Sequence, residues 1–298
     1  MKRLIAMGLL AIVAGWSGRA AAYVRTRTSS GTPIAWVHGC LQLHVDTTLN
    51  PQMAADRVKR ALDGAIAAWN GADQACTELG LSRVGDASDA RVAYDGKSMV
   101  LWRLPGFCDD PANAEDEACL APDATATTTV FYHDDPGAAD DGEIEEADME
   151  LNAVHFSFDD QGAPDAIDLP SVFAHELGHA IGLDHTCTTD RGASPPVDDE
   201  GNPVPFCFPV AALPPPVTSA TMYNFIVPGE IDKRLPGPDE QHAACSIYAA
   251  YAGTCSGDQP SGGLGCSVSD AGRRSAAAMG LLAFVLVAAA LVRRGRAR

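Results

Sequence analysis

The residues best placed to do chemistry lie in one short run, His175-Glu176-Leu177-Gly178-His179-Ala180-Ile181-Gly182-Leu183-Asp184-His185. Residues four apart on a helix sit one turn apart on the same face, so His175 and His179 can share a divalent ion. His-Glu-x-x-His is the spacing that suits zinc. Glu176, one step round the helix from His175, is placed beside such an ion and can take a proton from its water. His185 follows His179 by six residues, and six helical steps of about 100° would carry it to the far side. It joins the other two only if the helix stops and the chain turns back, and Gly182 stands where that left-handed turn is needed. Three neutral imidazoles leave one zinc position open, which is a catalytic rather than a structural pattern. The plain alternative is a helix with two surface histidines. At average residue usage the full pattern arises by chance in about one chain of this length in 100,000, which favours the metal.

His-Glu-x-x-His-x-x-Gly-x-x-His resembles the signature of the metzincin zinc peptidases, and the run as it stands is similar to their matrixin branch. Ser219-Ala220-Thr221-Met222-Tyr223 resembles the Met-turn of that clan. The resemblance implies that Met222 supports the three histidines without binding the ion, although a methionine in a turn is often core filler. Some metzincins place a switching tyrosine two residues after the methionine. Asn224 stands there, so that role is not assigned. The resemblance further implies an α/β zincin domain: a twisted, mostly parallel sheet, a long first helix, a zinc-binding active-site helix and a C-terminal helix. It also implies an edge strand beside the cleft that pairs with extended substrate. Met222 lies 37 positions after His185, farther than in vertebrate matrixins, across an insert with Cys187, Cys207 and eight prolines. Neither His133 nor His155 has the spacing of the second, structural zinc of vertebrate matrixins, and no Pro-Arg-Cys-Gly stretch of the zymogen type is found.

The ends bound the setting. Residues 1–22 read as a secretory signal: Lys2 and Arg3, an apolar run from Leu4 to Val13, then Ala20-Ala21-Ala22 before Tyr23. The apolar run is too short for a membrane anchor. Residues 23–33 read as a short polar leader and 34–252 as the catalytic domain. Residues 253–275 read as a Gly/Ser-rich tether holding Gly265-Cys266, 276–292 as a transmembrane or sorting helix, and 293–298 as an Arg-rich tail. Gly-Cys, apolar helix and arginine cluster together resemble the MYXO-CTERM-type sorting tags of some Gram-negative secretomes; a simple membrane anchor is the plainer reading. Nine of the 21 basic residues fall in the signal or from Arg273 onward, leaving 12 against 39 acidic ones, a charge of −27 on the part between. That excludes nucleic acid and anionic lipid as main partners. The acidic stretch from His133 to Asp148 offers hard oxygen ligands that suit calcium, or is a solvated loop. Nine cysteines in an exported chain suggest disulfides, and proximity favours 108–119, 187–207 and 245–255, leaving 40–76.

Elsewhere, Ile34–Val37, Leu41–Val45, Arg91–Tyr94, Ser98–Trp102, Ala126–Tyr132 and Asp148–Asn152 read as strands. Met53–Asn70 reads as an amphipathic helix, Pro170-Ser171 opens the histidine helix with Ser171 as N-cap, and Pro238 starts a helix to about Tyr251. The sequence thus predicts an exported, surface-tethered, monomeric zinc endopeptidase acting on protein or peptide. His175, His179 and His185 would be the metal ligands and Glu176 the base. A catalytically silent zinc-binding surface protein and a zinc amidase acting on cell-wall peptides are the alternatives.

Overall fold

The computed structural model describes residues 23–37, 40–46, 52–71, 76, 79–88, 91–104, 123–192, 195–248 and 279–288. The signal, the tether, the arginine tail, His38, Cys108, Cys119, Cys255 and Cys266 lie outside them. In chain order the elements are β1 (Val24–Arg25), β2 (Cys40–Asp46), α1 (Ala55–Gly71), β3 (Gly80–Ala87), β4 (Ser98–Arg103), β5 (Ala124–His133), β6 (Ile144–Asn152), β7 (Phe158–Asp159) and β8 (Ile167–Asp168). There follow α2 (Leu169–Ala180), β9 (Leu183–Asp184), the short α3 (Pro215–Thr218), β10 (Phe225–Ile226), α4 (Pro238–Tyr248) and β11 (Met279–Ala288).

The main sheet has seven strands in the order β10-β11-β5-β6-β4-β2-β3, with β3, β2, β4 and β6 parallel and β5 antiparallel to β6. Parallel strands need crossovers, and α1 supplies the one from β2 to β3. Val58, Leu62, Ala65 and Trp69 recur at helical spacing and are buried on α1's inner face. Trp69 at the helix end reaches α2, donating Nε1–H to the Ala174 carbonyl at 2.9 Å. Leu41, Leu43, Val45, Val130, Met149 and Leu151 give the sheet's contribution to the same core.

Several expectations change. Within the stretch 23–33, Tyr23 is buried and meets the His242 ring edge-on at 5.7 Å. β1 pairs antiparallel with β9, immediately before His185. Ile34–Val37 and Arg91–Tyr94 are not strands; Ala35 makes only an isolated bridge to Glu143. β3 carries two glycines and lies at a sheet edge with only Leu81 buried, so it lacks the apolar alternation that marks a strand. β6 begins inside the acidic stretch, because its acids are structural. Glu146 accepts the Asp95 and Gly96 amides, Asp148 accepts those of Ala93 (3.1 Å) and Met99 (2.8 Å), and Glu150 pairs with Arg103. Burial pushes the Asp148 carboxyl up to about 8. Among the described residues, no acidic cluster gathers three or more metal-capable side chains; the three histidines alone do.

Cys187–Cys207 is a disulfide, but Cys245 bonds Cys76, 169 residues away, rather than Cys255. Cys40, also disulfide-bonded, therefore has another partner than Cys76. The described part of the apolar segment 276–292 is the strand β11, not a helix, and among the described residues no helix is long and apolar enough to cross a membrane. A continuous apolar run does not distinguish helix from buried strand by its period. Here β5 offers an edge of backbone donors and acceptors, and β11 pairs antiparallel with it and parallel with β10.

Candidate metal centre

The histidine helix starts one turn earlier than Ser171 suggests. Asp168 is its N-cap: its Oδ2 accepts the Ser171 amide at 3.1 Å and the Ser171 hydroxyl at 2.7 Å, and Pro170 fills a first-turn position that needs no N–H donor. Arg234 neutralises the buried cap, with Nε 2.9 Å from Oδ2 and Nη2 2.5 Å from Oδ1. Asp168→Ala removes a cap and a charged hydrogen-bond partner together. It should cost about 2–3 kcal/mol, read as a lower urea midpoint with unchanged slope.

The helix ends at Ala180. Ile181 donates back to Leu177 at 3.1 Å and Gly182 to His179 at 2.9 Å, and Gly182 adopts φ +91°. A side chain is excluded there twice, since a Cβ would also stand 2.6 Å from the Ile34 carbonyl oxygen. The reversal feeds β9, which β1 holds in place, and β9 delivers His185 to the face carrying His175 and His179.

The three Nε2 atoms converge. His175 and His179 are 3.0 Å apart, His179 and His185 3.2 Å, and His175 and His185 3.3 Å. Tetrahedral zinc with nitrogen ligands at 2.0–2.1 Å puts those nitrogens roughly 3.3 Å from one another. The outer nitrogens fix the tautomers. His175 Nδ1 lies 2.7 Å from the Thr221 carbonyl and His179 Nδ1 2.9 Å from that of Leu183. Both Nδ1 atoms must donate, which leaves lone pairs on the converging Nε2 atoms. Burial drives the His175 imidazole down to about 4, with the Lys233 charge adding a little, and pushes His179 and His185 well below the usual range. Lone pairs packed this closely repel unless a cation lies between them, so the donor set fits zinc.

Glu176 is fully buried on the same helix. Its Oε2 accepts the Thr128 hydroxyl of β5 at 2.6 Å, and its Oε1 has no partner among the described residues. Burial raises its carboxyl to about 8, against the Thr128 hydrogen bond, which lowers it.

Met222 is buried against Gly178 of the motif. A Cβ on Gly178 would collide with Met222 Sδ, so the glycine makes room for the methionine. The turn around it is tied down on three sides. Glu240 of α4 accepts the Met222 amide at 3.0 Å, Thr186 donates to the Met222 carbonyl at 3.1 Å, and the Thr221 hydroxyl donates to Leu235 at 2.8 Å. Asn224 is buried with its Oδ1 3.0 Å from Cys187 Sγ, so it is engaged with the disulfide of the insert. That insert builds a small second core from Cys187, Cys207, Val217, Tyr223 and Phe225 beside His185.

Thr128, Glu240 and the Thr221 and Leu183 carbonyls were not legible as site groups, since each acts through a contact that no local spacing marks. His133 engages Glu145 at 2.8 Å and Asp140 at 3.2 Å, and His155 its neighbour Asn152, well away from the histidine cluster.

No curated protein matches the chain. The family model described as Matrixin matches residues 113–193, a span that holds β5, β6, α2 and the whole run from His175 to His185 but stops short of Met222, and over that span the chain is similar to the matrixin metallopeptidases.

Proposed function

We propose that this chain is an exported zinc-dependent endopeptidase in which His175, His179 and His185 hold the metal and Glu176 is the general base. The observation that carries the reading is the meeting of three Nε2 lone pairs at 3.0–3.3 Å, with an unpartnered carboxylate oxygen on the next residue of the helix. Zinc, when bound there, supplies Lewis acidity that lowers the pKa of water and polarises a carbonyl. The chain does the rest. Thr221 and Leu183 hold the imidazoles in the ligating tautomer, and Met222 supports them. Glu176 Oε1 takes a proton from the attacking water and returns it to the departing amine. An extended peptide pairs with the β5 edge in place of β11, by strand addition.

Export is supported by the charged start, apolar run and small residues of positions 1–22, and by disulfides, which persist in oxidising compartments. The test is a zinc-loaded sample of the exported chain incubated with a mixed peptide library. Cleavage at internal bonds is expected, lost with a chelator and restored by zinc. A sample holding one zinc per chain that cuts no peptide would leave a silent binder, and one that cuts only cell-wall peptides would make it an amidase.

A further inference from the structure

Alternate residues of β5 face the core: Ala126, Val130 and Tyr132 belong to the main apolar cluster, and Thr128 falls in the same register. A hydroxyl at a core-facing position costs free energy unless it is hydrogen-bonded. Thr128 finds no partner on its own strand. Its Oγ1 reaches across to α2, 48 residues away, and stands 2.6 Å from Glu176 Oε2, with a longer approach of 3.4 Å to the Glu176 carbonyl. The shorter distance is that of a hydroxyl donating to a charged carboxylate. Both groups are buried, and Oε1 is left alone.

From this geometry we infer that Thr128 is a positioning residue for the base. Its hydroxyl occupies one carboxylate oxygen and so fixes which oxygen, and which rotamer, is presented to the reacting water. A carboxylate with two equivalent free oxygens would be spread over several orientations. Holding a reacting group in its working geometry lowers the barrier without changing how substrate binds. The inference rests on the peptidase reading above, and its test is chosen to separate the two.

Thr128→Val keeps the shape and removes only the hydroxyl; Thr128→Ser keeps the hydroxyl. In zinc-loaded enzyme, Thr128→Val should lower kcat about 10- to 100-fold, with KM within twofold and one zinc per chain. Thr128→Ser should return kcat to within about threefold of the parent. Crystal structures of the zinc-loaded parent and Thr128→Val, which need no activity to be read, should show the Glu176 carboxylate turned or split between conformers only in the valine variant. A Glu176 side chain in the same place in both structures would overturn the inference, as would a kcat unaffected by valine or unrescued by serine. A parent with zinc but no turnover would sink the peptidase reading, while the two structures would still decide the role of Thr128.

Discussion

Glu176→Gln should leave the zinc in place and abolish turnover, with kcat falling about 10³-fold or more. The substitution keeps the length and planarity of the side chain and removes its ability to accept a proton. General acid–base groups contribute about 10²- to 10⁴-fold, and here one carboxylate serves both halves of the proton transfer, which places the loss toward the upper end. The fold should tolerate the change. The carboxyl is fully buried, where a neutral side chain of the same shape is accommodated at least as well as a charged one, and the amide oxygen can still accept the Thr128 hydroxyl. Metal analysis, thermal melting and peptide cleavage on the same sample check all three parts. Turnover within tenfold of the parent, with zinc bound, would remove Glu176 from the role of base. Equal silence of parent and variant would instead favour a zinc-binding surface protein.

What was readable in the sequence was whatever a helical or strand period encodes. His175, Glu176 and His179 are fixed by a 3.6-residue repeat, and Gly182 by the need for a left-handed residue, so the reversal to His185 followed from local rules. The stripe on α1 and the alternation in β2 were legible for the same reason. The errors come from residues whose apparent local role was taken over by a distant partner. Ser171 looks like a cap, but Asp168 caps the helix because Arg234 from a later loop can offset its buried charge. Glu146 reads as part of an acidic stretch that is either a calcium site or a solvated loop, and Asp148 and Glu150 as residues of a strand with no partner named. In the fold they alternate into one buried face of β6, where loop amides and Arg103 satisfy them. Cys245 has a cysteine ten residues away yet bonds one 169 residues away, since chain distance says little once α4 is packed. Thr128 is one of several threonines in β5, and only the register against α2 makes it the one that meets Glu176.

His185→Ala should remove the metal rather than the chemistry alone. Two imidazoles one turn apart on α2 remain, but the third donor and the closing of the cluster are gone. Loss of a residue that merely supports a ligand weakens metal binding about 10- to 100-fold, so loss of a ligand should exceed about 100-fold. The effect is readable without any substrate. Zinc that binds only the folded chain, at a free concentration near 1,000 times its dissociation constant, adds about 4 kcal/mol of stability. In a domain of roughly 200 residues that raises the melting temperature by about 8–16 °C. The parent should show this rise on zinc addition and the variant little of it. The sign follows from the geometry. Without a cation the parent holds three imidazole Nε2 atoms within 3.3 Å of one another, His175 and His179 buried and His185 partly so, and a cation turns that crowding into attraction. A variant that kept the full zinc-dependent rise would mean that the chain's reversal at Gly182 brings His185 to the cluster without making it a ligand.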